Sequence, residues 1–135
     1  MVAAPHDSAA RTKDKVIISR SRNFIKKNYH QEKLPLRDLA REANTSYFYL
    51  CRLFKRELGV TFVQYVALTR VNAALRLLEN VNLTIAQVSY AVGITDAQYF
   101  DRVFKRTLGC RPKEYRQYSV AKREEIRQEV LAKLL

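Results

Sequence analysis

Apolar side chains recur every three or four residues through most of this chain, and no stretch alternates convincingly with the period of two that a half-buried strand needs. In residues 16–29, Ile17, Ile18, Ser21, Phe24, Ile25 and Tyr29 share one face, with Arg20, Arg22, Lys26 and Lys27 elsewhere on the wheel. This predicts a first amphipathic helix. Residues 35–43 predict a short second one, opened by Pro35 and turning Leu36, Leu39, Ala40 and Ala43 inward. Asn44 falls where a tight turn wants a positive φ, which Asn tolerates better than most residues. Ser46 is the expected N-cap of a third helix running to Leu58, where Gly59 supplies the left-handed stop.

The pattern Thr61-x-x-Gln64 opens a long fourth helix, carrying Tyr65, Val66, Leu68, Val71, Ala74, Leu77 and Leu78. Thr84-x-x-Gln87 and Thr95-x-x-Gln98 open a fifth helix, ending before Gly93, and a sixth that Gly109 ends. Pro112 starts a seventh. The expected fold class is therefore all-α, with about seven helices and a helical extension over residues 119–135. In that extension Ile126, Val130, Leu131 and Leu134 form a stripe opposite Lys122, Arg123 and Glu125. The stripe docks on the domain or meets a partner. Residues 1–14 show no apolar periodicity and are expected to be a disordered tail or a linker remnant.

An internal repeat organises these elements. Phe54-Lys55-Arg56-Glu57-Leu58-Gly59 returns as Phe104-Lys105-Arg106-Thr107-Leu108-Gly109, an offset of 50 residues with five identities in six. Tyr49, Arg52 and Tyr65 match Tyr99, Arg102 and Tyr115 at the same offset, whereas Leu39, Asn44 and Ser46 match Val88, Gly93 and Thr95 at 49. Each copy reads as short helix, tight turn, longer helix: the helix-turn-helix arrangement, whose second helix is the one available to a major groove. The domain plan is thus a first unit over about 15–60, a linker helix over about 61–79 and a second unit over about 83–118.

Charge sharpens this plan. Lys and Arg number 25 against 13 Asp and Glu, for a net charge of +12, so a polyanionic partner is expected. The basic residues Arg52, Lys55 and Arg56 recur as Arg102, Lys105 and Arg106, which solvation of a helical bundle alone would not demand. Other classes find little support. No apolar run approaches a spanning helix, and the N-terminal residues lack the apolar core of a signal peptide, so a cytoplasmic protein is expected. Cys51 and Cys110 are too far apart for a CxxC site, and His6 and His30 complete no zinc set, so no metal and no cofactor are expected. With no nucleophile–base pair or phosphate loop, an enzyme is the least supported class. A basic helical module binding RNA or an acidic protein is the alternative to a double-stranded DNA binder.

The second half reads Ile85-Ala86-Gln87-Val88-Ser89-Tyr90-Ala91-Val92-Gly93-Ile94, then Tyr99-Phe100-Asp101-Arg102-Val103-Phe104-Lys105-Arg106, then Gly109-Cys110-Arg111-Pro112 and Tyr115-Arg116. With Arg70-Val71, Ala74 and Leu77-Leu78 in the linker helix, residues 16–117 resemble the DNA-binding domain of the AraC/XylS family of bacterial transcription regulators. Asn44, Ser89 and Arg111 depart from the residues common in that family at their positions, and all are substitutions that local geometry absorbs.

The resemblance implies two recognition helices held by the linker helix, entering successive major-groove segments of an asymmetric site without need of a dimer. It assigns base reading to Phe48, Cys51 and Arg52 in the first unit, and to Ala97, Gln98, Asp101 and Arg102 in the second. Arg52 and Arg102 suit guanine, Gln98 adenine, Asp101 a cytosine amino group and Phe48 thymine methyls. Alternatives stand beside three of these. Gln98 instead closes a capping box with Thr95, Asp101 pairs with Lys105, or Phe48 joins the core. Cys51 is by type a small half-buried residue.

Phosphate contacts are expected from Lys55, Arg56, Lys105 and Arg106, and at the helix starts Ser46, Thr61, Thr95 and Arg111. Phe54, Phe104, Leu53, Val103, Tyr65 and Tyr115 are expected in the core. The family also implies transcription activation through RNA polymerase, and often a separate sensing domain, for which residues 1–15 offer no room. Dimerisation would then fall to such a domain or to the C-terminal helix.

Overall fold

The computed structural model describes residues 5–34 and 36–135, with side chains from Arg11 onward except Leu36. All regular structure among the described residues is helical: α1 (Pro5–Asn28), α2 (Leu36–Glu42), α3 (Tyr47–Leu58), α4 (Phe62–Leu78), α5 (Ile85–Ala91), α6 (Ala97–Leu108), α7 (Pro112–Gln117) and α8 (Val120–Leu134). No single helix among them is long and apolar enough to cross a membrane.

The N-terminal expectation needs correction, because α1 starts at Pro5 and residues 5–14 are helical. Pro5 sits at the first helical position, where its missing N–H has no intrahelical partner to lose, and neither Gly nor a second Pro interrupts the helix before Asn28. Amphipathic periodicity reports only the part of a helix that lies on a core, so it sets the start too late. Residues 1–4, and Pro35 as the expected opening of α2, lie outside the described residues.

The helices gather into two compact units. The first comprises α1 with residues from Leu34 to Phe62; the second comprises Tyr29–Lys33 with Val63–Leu135. In the first, Ile17, Ile18 and Ile25 of α1, Leu39, Ala40 and Ala43 of α2 and the turn after it, and Leu50, Leu53 and Phe54 of α3 are all buried. Phe62 meets the Phe54 ring edge-on at 5.3 Å, a favoured aromatic geometry. Ser21 is buried too, and its hydroxyl donates back to the Ile17 carbonyl at 2.7 Å, so it loses no hydrogen bond on leaving water. Asn44 makes the turn between α2 and α3 at φ 55°, the sole positive φ outside glycine among the described residues.

In the second unit α4 supplies part of the core. Its Leu68, Val71, Ala74, Leu75 and Leu78 form one cluster with Val88, Val92 and Ile94, with Phe100, Val103 and Phe104, and with Cys110 and Tyr115. The C-terminal α8 adds Val130 to that cluster, with Ile126 and Leu134 packed against it. The extension therefore docks through three of its four stripe residues, and Leu131 stays exposed. Arg116 ties α7 to the end of α4, its Nε donating to the Leu78 carbonyl at 3.0 Å and its Nη2 to the Asn80 carbonyl at 2.9 Å.

The segment Tyr29–Lys33, between α1 and α2 in sequence, is held within this second unit. Arg70 of α4 donates to the carbonyls of Tyr29 and Gln31 at 2.9 and 2.8 Å, and the Thr95 hydroxyl to Glu32 Oε1 at 2.9 Å. Burial lowers the pKa of Arg70 from its ordinary value, in a position where carbonyl oxygens solvate the guanidinium in place of water. At Gly93, in the turn between α5 and α6, φ is +91° and a β-carbon would lie 2.5 Å from the Tyr29 carbonyl oxygen. Only glycine satisfies both the turn and that close approach.

Candidate nucleic-acid interface

The two helices that the repeat marks as candidate recognition helices, α3 and α6, each run 12 residues and end on a left-handed glycine, Gly59 at φ 73° and Gly109 at φ 81°. Each buries the same three positions: Leu50, Leu53 and Phe54 in α3, and Phe100, Val103 and Phe104 in α6. Helical geometry then turns the residues at spacing i, i+3, i+4 and i+7 to the opposite side. In α3 these are Phe48, Cys51, Arg52 and Lys55; in α6 they are Gln98, Asp101, Arg102 and Lys105. Except for Cys51 and Asp101, which are half-buried, these residues are exposed.

Several open alternatives close here. Phe48 is 80% exposed and takes no part in the core. Its ring meets that of Tyr47 edge-on at 6.0 Å. Cys51 lies beside the Tyr47 hydroxyl, whose pKa is raised mainly by their hydrogen bond. The expected core residues Leu53, Phe54, Val103, Phe104, Tyr65 and Tyr115 are all buried. Burial is the main cause of the raised pKa of the Tyr115 phenol, whose hydroxyl donates to Glu79 Oε1 at 3.4 Å.

The helix starts separate into two groups. Ser46 caps α3 by accepting from the Tyr49 N–H at 3.2 Å, as expected. Thr84 and Gln87 form the capping box of α5, each side chain accepting from the other's backbone N–H. At α6, however, the cap is Asp96, whose carboxylate accepts from the Gln98 and Tyr99 N–H groups at 2.9 and 3.2 Å. Thr95 instead faces Glu32, and the Gln98 side chain closes no box with it. A carboxylate outcompetes a hydroxyl as N-cap because its full negative charge also meets the positive end of the helix dipole. Ser46 and Asp96 are 50 residues apart, so the extra residue of the second copy lies between Gly93 and Asp96.

Charged contacts within each unit add to this. Asp101 pairs not with Lys105 but with Arg111, at 3.6 Å, where α7 begins. Arg111 in turn has its backbone N–H bound by Glu114 Oε1 at 3.0 Å. Arg102 lies over the Tyr99 ring at 5.6 Å. On α3, Lys55 Nζ reaches the Gly59 carbonyl at 3.5 Å, and Arg56 is bound by Asp14 at 2.6 Å and Glu57 at 3.0 Å. Those contacts, with Asp14 first, raise the pKa of Arg56 further.

Sequence reasoning missed Asp14, Glu32, Glu79 and Asp96. Asp96 had a usable signal, a strong capping type directly before an apolar-periodic run, which the Thr95-x-x-Gln98 pattern masked. Asp14 had none, because its partners Tyr49 and Arg56 lie 35 and 42 residues away.

Two copies of a short helix, a positive-φ turn and a longer helix that carries an exposed arginine and lysine at matching positions define a tandem helix-turn-helix protein. The family profile of a helix-turn-helix domain matches residues 39–118. The bifunctional transcriptional activator and DNA repair enzyme AdaA of Bacillus subtilis is 39% identical over 96 residues, covering 71% of this chain and 45% of that protein. The C-terminal domain of AraT, a response regulator from Geobacillus stearothermophilus, superposes with a TM-score of 0.69 at 35% identity, over 75% of this chain and 84% of that one. The DNA-binding domain of the global transcriptional factor AdpA, solved in complex with a target DNA, gives 0.67 at 25% identity, over 79% and 96%.

The chain belongs to the AraC/XylS family of transcription regulators and carries its DNA-binding domain. It spans less than half the length of the curated relatives it matches. The matched residues end at 118, before α8 begins.

Proposed function

We propose that this chain reads an asymmetric double-stranded DNA site, α3 in one major-groove segment and α6 in the next, about one DNA turn or ~34 Å apart. One observation carries the reading: the two helices bury matching positions, yet their outer faces hold different chemistry at matching positions. Phe48 and Cys51 offer apolar contact where Gln98 and Asp101 offer hydrogen bonds, so the two blocks of the site should differ. Arg52 and Arg102 suit a guanine in each block. Ala97 leaves room beside Gln98 for a base edge.

Lys55, Lys105 and Arg106 supply affinity through phosphates without choosing sequence. Arg111 neutralises Asp101, which lets a carboxylate approach a polyanion. Because the two faces differ, a single chain suffices and no dimer is required. Activation is the direction of control we infer, since AdaA is named a transcriptional activator, and contact with RNA polymerase is its simplest route.

Selection of bound sequences from random duplex DNA at about physiological salt, with a single-stranded RNA pool alongside, tests this reading, because specificity is the ratio that matters. An asymmetric motif with two unlike blocks one turn apart is expected. A palindrome would indicate a dimer instead, and enrichment confined to RNA would return a basic RNA-binding module to first place.

A further inference from the structure

The recognition helices are near-copies in sequence, yet one repeated pair of residues sits in two different settings. Tyr49 and Arg56 of α3 stand at the places of Tyr99 and Arg106 of α6. On α3, the Tyr49 hydroxyl donates to Asp14 Oδ1 at 2.6 Å and Arg56 Nη2 donates to Asp14 Oδ2 at 2.6 Å. One carboxylate from α1 thus takes both members of the pair, one on each oxygen. Asp14 is only 8% exposed. On α6 no acidic side chain does this. Tyr99 lies against Arg102, and Arg106 has no hydrogen-bond or ion-pair partner among the described residues.

We propose that Asp14 is a positioning residue that locks α3 to α1 and withdraws Arg56 from the DNA backbone, so that of the repeated arginines only Arg106 contacts a phosphate. This rests on the DNA-binding reading above. The Arg56 side chain is 57% exposed, so the cost falls on the carboxylate: a phosphate that captured Arg56 would leave the largely buried Asp14 beside a polyanion with only the Tyr49 hydroxyl to compensate its charge. Short charge-assisted bonds to a largely buried carboxylate also resist screening by salt better than exposed ones. The first unit is therefore anchored to its own N-terminal helix at the position where the second unit is free to anchor to DNA.

The test measures binding of the full chain to a labelled 30-base-pair duplex by fluorescence anisotropy, across sodium chloride from 50 to 250 mM. The slope of log K against log salt scales with the number of phosphates that the protein neutralises, at about 0.9 for each one. Arg106→Ala is expected to flatten the slope by about that amount and weaken binding several-fold. Arg56→Ala is expected to leave the slope unchanged while lowering the thermal midpoint; Arg56→Gln repeats the comparison if the alanine variant does not fold.

Asp14→Asn, which keeps an acceptor for Tyr49 but frees Arg56, is expected to steepen the slope by about 0.9. A merely structural Asp14 would move the thermal midpoint and not the slope. Equal flattening by Arg56→Ala and Arg106→Ala overturns the proposal, as does an unchanged slope in a folded Asp14→Asn variant. If the wild-type chain shows no salt-dependent affinity for the duplex, DNA binding itself fails and the proposal falls with it. That outcome is distinct from intact binding with equal flattening at both arginines.

Discussion

Arg52 and Arg102 occupy the same place on copies of one helix, exposed and flanked by a basic residue three positions on. Each is expected to contribute by bidentate pairing with a base. Arg52→Ala and Arg102→Ala should each cost ~1 to 3 kcal/mol on a selected site and relax preference at a few bases. Lys55→Ala should weaken all duplexes alike. Competition binding with mutated sites separates these outcomes, and identical behaviour of all three variants would remove the assignment of readers. A second residue-scale prediction concerns Gly93. Alanine there meets both a left-handed φ and the Tyr29 carbonyl at 2.5 Å, so Gly93→Ala should destabilise by at least about 2 kcal/mol in a urea melt. Gly59→Ala, with nothing within 4 Å of the new β-carbon, should cost about 1 to 2 kcal/mol from φ alone.

Among the elements, α8 is the one whose role the apolar stripe left open. Val130 is buried in the second unit's core, and Arg123 and Arg127 both bind Glu79 at the end of α4. These solvent-accessible pairs contribute little by themselves, and the packing of Val130, Ile126 and Leu134 carries the attachment. Val130→Ala should cost roughly 1 to 3 kcal/mol from the burial it removes and the cavity it leaves. Removing residues 119–135 should lower the thermal midpoint and leave self-association unchanged in analytical ultracentrifugation. A shift from dimer to monomer on truncation would instead make α8 an interface. The helices themselves were legible because their caps and stops are local: Ser46, Thr84, Gly59 and Gly109 do in the structure what their types and spacing announce. The cap of α6 was misread because two valid signals, Thr95 and Asp96, compete at adjacent positions and only the fold places Glu32 beside Thr95.

For the whole molecule, a net charge of +12 and the unlike outer faces of α3 and α6 lead to the same expectation, a strongly salt-dependent affinity for an asymmetric site. The faces can be made alike. In a variant carrying Tyr47→Ala, Phe48→Gln and Cys51→Asp, α3 presents the α6 residues, and the selected motif should change to two similar blocks. An unchanged motif would mean that these positions do not read DNA. The sequence by itself determined the all-helical class, the duplication and two of the three buried positions in each of the duplicated longer helices, because periodicity, capping and repetition are properties of neighbouring residues; Leu50, Phe100 and the exposure of Phe48 came from the structure. Only the tertiary structure decided which charged groups are already engaged: Asp14 with Tyr49 and Arg56, Arg111 with Asp101, Arg70 with the carbonyls of Tyr29 and Gln31. Those pairings join residues 10 to 42 positions apart, and no local pattern records which distant side chain folding will bring within reach.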